Sequence, residues 1–276
     1  MPFLVSAAGV LSENLFATWF PSDCRLCGEP LVNISRLPVC AECISRLQPI
    51  DGVLCSICGE RIFSPFAAES PSVACGLCRR AAPPFARAVA YGSYERELRG
   101  LIHLLKYEGM LPAKKVLGRI LAEAIVRCGE EFGPEVLVVP VPLHASKKRQ
   151  RGFNQNEMVA GEAIKLIGNQ GLPFDSTVLI RRRNTESQIG LTRHQRRENM
   201  RGAFSIVNRA AVQDREVLLV DDVLTTGTTV SECSKVLLRA GATKVWVATI
   251  ARTVKAEVQI GEVGEMVSIQ ALKAAM

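Results

Sequence analysis

Residues 217–230, VLLVDDVLTTGTTV, constrain the fold more than any other part of the chain. Val217, Leu218, Leu219 and Val220 form the apolar run expected of a buried central strand. Asp221 and Asp222 follow where that strand is expected to run out. Beyond them lies the loop Thr225, Thr226, Gly227, Thr228, Thr229, and then a helical pattern of Val230, Cys233, Val236, Leu237 and Ala240 with Gly241 as its stop. In an open α/β sheet, ligands bind at the carboxyl ends of the strands. A loop entering a helix there offers backbone N–H groups and the positive end of the helix dipole, which suits a phosphate. Gly227 allows close backbone approach and the threonine hydroxyls add donors. Two aspartates carry the wrong charge for a phosphate but suit vicinal sugar hydroxyls or a divalent cation. Together these features describe a ribose 5-phosphate site. The alternative is a threonine-capped helix behind two solvated acids.

The stretch resembles the phosphoribosyl diphosphate (PRPP) signature of type I phosphoribosyltransferases. That resemblance implies a parallel sheet flanked by helices, an α/β fold. It also implies that Asp221 and Asp222 hold the ribose hydroxyls and residues 225–229 hold the 5′-phosphate.

A second feature lies at the other end. Eight of the ten cysteines fall in CxxC pairs within the first 80 residues: Cys24/Cys27, Cys40/Cys43, Cys55/Cys58 and Cys75/Cys78. Repeated CxxC pairs, with no basic n-region before the mildly apolar start, point to structural Zn²⁺ rather than disulfides. Two four-thiolate sites are expected, with sequential or crossed pairing left open. Gly28, Gly59 and Gly76 follow or sit within the pairs, where knuckle turns need positive φ. The segment has few apolar residues for a core of its own, so metal binding, worth about 10–16 kcal/mol per structural site, would supply its folding energy. Chelation is expected to melt this module and leave the remainder folded.

The organisation that follows is an N-terminal helix over 1–20, a double zinc-ribbon module over 21–80, a linker over 81–87, a phosphoribosyltransferase-like domain over 88–252 and a peripheral tail over 253–276. Pro83 and Pro84 mark the linker. Strands are expected over 88–94, 136–141, 177–180, 203–207 and 244–250, and helices over 95–107, 112–128 and 156–167. Residues 139–155, VPVPLHASKKRQRGFNQ, lead a strand end into a basic loop with Lys147, Lys148, Arg149 and Arg151 and no acid between them. Such a loop suits a diphosphate; the alternative is a solvated basic turn. Residues 184–192 read as a mobile loop able to close over that ligand, followed by an arginine-rich helix carrying Arg193 and Arg197.

Four short motifs sharpen the resemblance: RGFNQ at 151–155, SQ at 187–188, RxxN at 196–199 and GAF at 202–204. With the cysteine pairs and the PRPP-like stretch they resemble the ComF/GntX family over residues 15–252. The resemblance implies PRPP binding with Mg²⁺ and, in one reading, phosphoribosyl transfer to an acceptor. Thr225 stands where purine-salvage relatives carry an acid near the base, so a purine-type proton acceptor is missing there. The resemblance implies, as the other reading, a non-catalytic sensor of PRPP or a nucleotide, or a single-stranded DNA binder working with DNA-uptake proteins. His103, His144 and His194 are isolated, and only His144 lies beside the basic loop. Cys128 and Cys233 fall on apolar helical faces and read as core.

Charge supports an anionic ligand. The net charge is +7, yet residues 1–80 carry −1 and the rest +8. Aromatic residues make up 5%, so a base-stacking platform is not evident. No apolar run reaches membrane-spanning length, so a cytoplasmic protein without membrane insertion is expected.

Overall fold

The computed structural model describes residues 22–31, 35–63, 73–128, 131–133, 136–168, 172–183 and 193–254. The expected N-terminal helix, the loop over 184–192 and all of the tail beyond residue 254 lie outside the described residues. So do the side chains of Arg193 and Arg197.

Four parallel strands form the central sheet: β1 (Arg87–Ser93), β2 (Leu137–Pro140), β5 (Glu216–Leu224) and β6 (Lys244–Arg252), in the order β1-β6-β5-β2. A hairpin of β3 (Leu179–Arg181) and β4 (Phe204–Ile206) pairs antiparallel beside it. Alternation along the buried strands sorts side chains into two layers. Val138, Leu218, Val220, Trp246 and Ala248 pack toward one core, and Leu137, Val139, Val217, Leu219, Val245 and Val247 toward the other. Both faces are covered, which is why these strands read as continuous apolar runs.

The first core is completed by α3 (Arg96–Tyr107), α4 (Ala113–Cys128) and α6 (Gln155–Ile167). Helix α3 places Leu98, Leu101, Ile102 and Leu105 on its inner face at helical spacing. Helices α4 and α6 meet closely at Gly118, where a Cβ would lie 2.6 Å from the Glu162 Cβ, so only glycine lets them approach. The second core is closed by α8 (Thr228–Arg239), the hairpin and Met200 of α7 (Arg193–Met200). The remaining helices are short: α1 (Ala41–Ser45) and α2 (Gly76–Arg80) in the cysteine module, and α5 (Ala145–Arg151) after β2.

Three sequence expectations change. Strand β5 does not stop before the aspartates; it continues through them to Leu224, because β6 runs beside it and pairs Asp221 with Thr249 and Leu224 with Arg252. The basic loop is a helix, α5. His144 Nδ1 accepts from the Ser146 amide at its start, and Gly152, at φ 85°, ends it in the left-handed region. The expected linker is tied down: Phe85 is buried in the second core and the Ala86 amide donates to the Val245 carbonyl at 2.8 Å.

The cysteine module is also less independent than its composition suggests. Cys24, Val39, Cys43 and Leu47 belong to the same buried cluster as α3 and α4. The Leu26 side chain lies against Gly100 of α3, and Tyr91 of β1 donates through its hydroxyl to the Leu47 carbonyl at 3.1 Å. The module's few apolar residues therefore work by docking on the sheet domain. Chelation of zinc is expected to lower a single thermal unfolding transition of the whole chain, followed by near-UV dichroism. A sheet domain melting at its original temperature after complete metal loss would show the module to be separate.

Candidate functional site

Two cavities flank the loop between β5 and α8. The first, about 340 Å³, opens at the carboxyl ends of β2 and β5. It is lined by Asp221, Asp222, Lys106, Lys147, Arg151, Arg181 and, from the loop, Thr225 and Thr229.

Strand alternation sets the two acids on different faces of β5. Asp222 shares its face with Leu218 and Val220, the layer to which α3 belongs, and there it meets Lys106. The Lys106 Nζ lies 2.7 Å from Asp222 Oδ2, and Gln155 Nε2 donates to the same oxygen at 2.6 Å. Asp222 is only 7% exposed. Burial works against the Lys106 ammonium, but Asp222 and then Asp221 outweigh it and hold its pKa above the ordinary lysine value. Asp221 remains partly exposed to the cavity; it accepts from Asn156 Nδ2 at 2.9 Å and from the Asp222 amide at 3.0 Å. Burial and the neighbouring Asp222 charge push its pKa up to about 7. The acids are thus not an equivalent couple: Asp222 is held in an ion pair, and Asp221 is the carboxylate that faces the cavity.

Helix α5 divides its bases by face. Lys147 and Arg151, four residues apart, line the cavity, and the Arg151 guanidinium lies over the Tyr107 ring at 5.5 Å. Burial, then Arg181 and Arg151, lowers the Lys147 pKa. Lys148 points outward to Glu157, 3.5 Å away, so the structure does not bring it to the cavity.

The threonine loop is shared between the two cavities. Thr225 and Thr229 line the acid cavity, whereas Thr225, Thr226, Gly227 and Thr228 line the second. Gly227 is the N-cap of α8 at φ 73° and brings no side chain to that position, so the backbone there can approach an anion.

Lys106, Gln155, Asn156 and Arg181 join the site without having been singled out for it from sequence. For Lys106 a signal existed: it falls four residues after Ile102, on the apolar face of α3, where a lysine needs a buried partner. Arg181 was hidden in an arginine run, and only the hairpin's position selects it. Of the histidines, His144 caps α5 and His103 receives or donates a hydrogen bond with the Tyr94 hydroxyl at 3.0 Å.

The cysteines assemble sequentially, Cys24, Cys27, Cys40 and Cys43 in one cluster and Cys55, Cys58, Cys75 and Cys78 in the other, and none of the ten cysteines is in a disulfide. A tetrahedron of Zn–S bonds has edges of about 3.8 Å. The Cys24–Cys43, Cys27–Cys40 and Cys58–Cys75 sulfur pairs lie 3.8, 3.7 and 3.7 Å apart, which fits such an ion. Burial raises the thiol pKa values, but knuckle amides, including the 3.3 Å bond from the Cys40 N–H, bring Cys24 down to about 6. The same opposition, with amides of Cys58, Cys75 and Ile57 prevailing, brings Cys55 down to about 7. Burial and the crowding of neighbouring thiols hold Cys43 and Cys78 well above the ordinary value. Four thiolates this close coexist only around a divalent cation.

The profile described as phosphoribosyl transferase domain matches residues 156–267, and that described as double zinc ribbon domain matches residues 15–81. DNA utilization protein YhgH of Escherichia coli strain K12 is 33% identical over 235 residues, 84% of this chain and 98% of that protein. Competence protein F of Haemophilus influenzae is 31% identical over 224 residues, 77% of this chain and 96% of that protein. Competence protein ComFC of Streptococcus pneumoniae is 23% identical over 231 residues, 79% and 94% of the two chains. Among the described residues, no helix is long and apolar enough to cross a membrane.

Two predictions follow from the acids. The raised Asp221 pKa means the folded state prefers the neutral acid, so this group's favourable contribution is complete below about pH 4 and is lost as pH rises through about 7. Asp221→Asn is therefore expected to stabilise the protein at about pH 8 by on the order of 2–4 kcal/mol and to change little at about pH 4, as read by denaturant melts. Lys106→Met leaves Asp222 buried without its cation and is expected to cost about 3–5 kcal/mol. Adding Asp222→Asn should recover most of that loss, and an additive double variant would show the pair to be energetically idle.

Proposed function

The chain belongs to the ComF family, which joins a double zinc ribbon to a phosphoribosyltransferase domain, and from that premise we propose that its acid-lined cavity binds the ribose 5-phosphate part of PRPP. The observation that carries this reading is the convergence in one cavity of three chemistries. Asp221 offers an acceptor for sugar hydroxyls, the start of α8 beside Thr229 offers the positive end of a helix dipole for a phosphate, and Lys147, Arg151 and Arg181 offer charge for a diphosphate. Asp222 acts through Lys106 and Gln155, fixing the strand end that presents Asp221. Thr226, Gly227 and Thr228 shape the loop, and the Thr226 and Thr228 hydroxyls bond one another at 2.9 Å.

In this reading the reaction is displacement at the anomeric carbon. The acceptor's lone pair forms the new bond, the C–O bond to diphosphate breaks, diphosphate leaves with the electron pair, and the acceptor's proton passes to water. The transition state is oxocarbenium-like, so the chain's work is orientation and charge compensation. Asp221, the carboxylate of this lining that is not paired with Lys106, would be the residue to hold Mg²⁺, which would supply charge compensation for the diphosphate. On the same reading the zinc ribbons are structural, and residues 88–252 carry the chemistry.

Calorimetry with ribose 5-phosphate and with PRPP tests this. Both are expected to bind more tightly at about pH 8 than at about pH 6, as Asp221 ionises. Asp221→Asn should reduce that pH dependence to the part that the ligand's own phosphate ionisation supplies. Lys147→Ala with Arg151→Ala should weaken PRPP by about tenfold more than ribose 5-phosphate. Absence of ribose 5-phosphate binding at either pH would remove the reading. Pyrophosphate release against a panel of bases and amines then separates transfer from sensing.

A second reading, binding of single-stranded DNA alongside DNA-uptake proteins, has its own support. Tyr107 is 67% exposed and lies under Arg151 beside Lys147, a base-stacking surface next to phosphate-binding charge. Salt-sensitive oligonucleotide binding lost in Tyr107→Ala and retained in Asp221→Asn would place DNA on that surface rather than in the sugar site.

A further inference from the structure

The two cysteine clusters are built alike and exposed differently. Each has an inner and an outer pair of sulfurs. In the first cluster Cys24 and Cys43 are buried in the first core, and Cys27 and Cys40 form the outer pair, their sulfurs 3.7 Å apart. In the second, Cys55 and Cys78 are buried, and Cys58 and Cys75 form the outer pair. Cys27 alone among the ten cysteines is exposed. Cys58 and Cys75 are half-buried, and Cys58 packs against the second core. That half of the module is fastened to the sheet by the buried Arg252, the last residue of β6. Its guanidinium donates to the Cys58 carbonyl and pairs with Glu60 at 2.7 Å.

The first cluster grips helix α3. Arg25 and Leu26 are the two residues between Cys24 and Cys27, so the metal knuckle sets their position. Leu26 lies against Gly100 of α3, where a Cβ would come 2.5 Å from Leu26 Cδ2. Arg25 pairs with Glu108 at the end of α3, and Arg46 pairs at 3.6 Å with Glu97 in its first turn. Both arginines are exposed and such pairs contribute little. The grip comes chiefly from the packing of Leu26 and Leu47 beside Cys24 and Cys43. Lys106, which pairs with Asp222, lies two residues before Glu108. One helix therefore joins the first cluster to the wall of the acid cavity.

We propose that Cys27 and Cys40 are a modification site for peroxides, and that their oxidation opens the first zinc cluster as a latch on α3. The Cys27 thiolate attacks one peroxide oxygen, the O–O bond breaks, hydroxide leaves with the electron pair, and Cys27 becomes a sulfenic acid. The Cys40 thiolate then attacks that sulfur, the S–S bond forms and a second hydroxide leaves. The two sulfurs are oxidised by two electrons in all, and the peroxide takes them. A disulfide needs about 2 Å between its sulfurs, so side-chain rotation has a short gap to close. With two of its four thiolates consumed, the cluster no longer holds its ion, and the turn carrying Arg25 and Leu26 loses its fixed shape. The C-terminal turn of α3, and with it Lys106, is then held less firmly. The second cluster is slower to react because its outer sulfurs are half-buried. The latch acts on the architecture of the acid cavity and stands whether or not a sugar binds there.

The test titrates hydrogen peroxide into the full zinc-loaded chain. Metal release is followed with a colorimetric zinc chelator, and disulfides are mapped by peptide mass spectrometry after free thiols are blocked. Amide exchange over residues 98–108 is read against β5 as an internal reference. The first equivalent of zinc is expected to leave with a Cys27–Cys40 disulfide while Cys55, Cys58, Cys75 and Cys78 stay reduced. Exchange over residues 98–108 is expected to rise about tenfold with β5 unchanged. Cys27→His and Cys40→His each keep three thiolates and an imidazole for zinc but cannot form this bond. Either variant, once shown to carry its full zinc, is expected to release the first ion about tenfold more slowly at the same peroxide dose. The proposal is overturned if peroxide releases no zinc, or if the first ion leaves with oxidation of the second cluster. It is equally overturned if exchange over residues 98–108 keeps its starting value once the disulfide has formed, or if a zinc-loaded histidine variant releases its first ion as fast as the native chain. The native chain alone decides the first three of these outcomes, so a variant that fails to load zinc does not shelter the proposal.

Discussion

The buried contact between Asp222 and Lys106 holds the site together. It joins the end of the central strand to the end of helix α3 across the top of the first core, and Gln155 of α6 adds a third element at the same oxygen. A paired charge removed from water gains little net stability, but breaking the pair is costly, so the geometry has one low-energy arrangement. Burial and the Asp222 charge raise the pKa of the adjacent Asp221, while Lys106 works the other way. One aspartate is spent on architecture and the other faces the cavity.

Most of the α/β pattern was legible because buried parallel strands and amphipathic helices write strong periodicities. The strand cores around Val138, Leu218 and Val247 and the apolar face of α3 could be read directly. The cysteine pairs were equally plain, since four thiolates at CxxC spacing have few other uses. The errors came where tertiary contacts overrule local signals. Prolines marked residues 81–87 as a linker, yet Phe85 has a core position waiting for it. The lysine and arginine run after β2 looked like a loop because nothing in its composition announced that His144 would cap it.

Part of the acid cavity's lining could be picked out from the sequence, but not its arrangement. The sequence placed Asp221, Asp222 and the threonines together, but strand alternation, and not proximity in the chain, decides which acid meets Lys106. Likewise Lys147 and Lys148 are neighbours in sequence and opposites on the helix surface, one in the cavity and the other beside Glu157. Arg252 could not be recognised at all, because its partners Cys58 and Glu60 lie 194 and 192 positions away.

That separation bears on how the molecule is made. Strand β1 pairs along its length with β6, and the ribbon's fastening guanidinium sits at the final residue of β6. A nascent chain leaving the ribosome therefore carries metal-loaded knuckles and an unpartnered β1 edge until residues 244–252 have emerged. Assembly closes from the last strand backward, so premature termination before residue 244 would release a chain with neither its β1 neighbour nor its clasp.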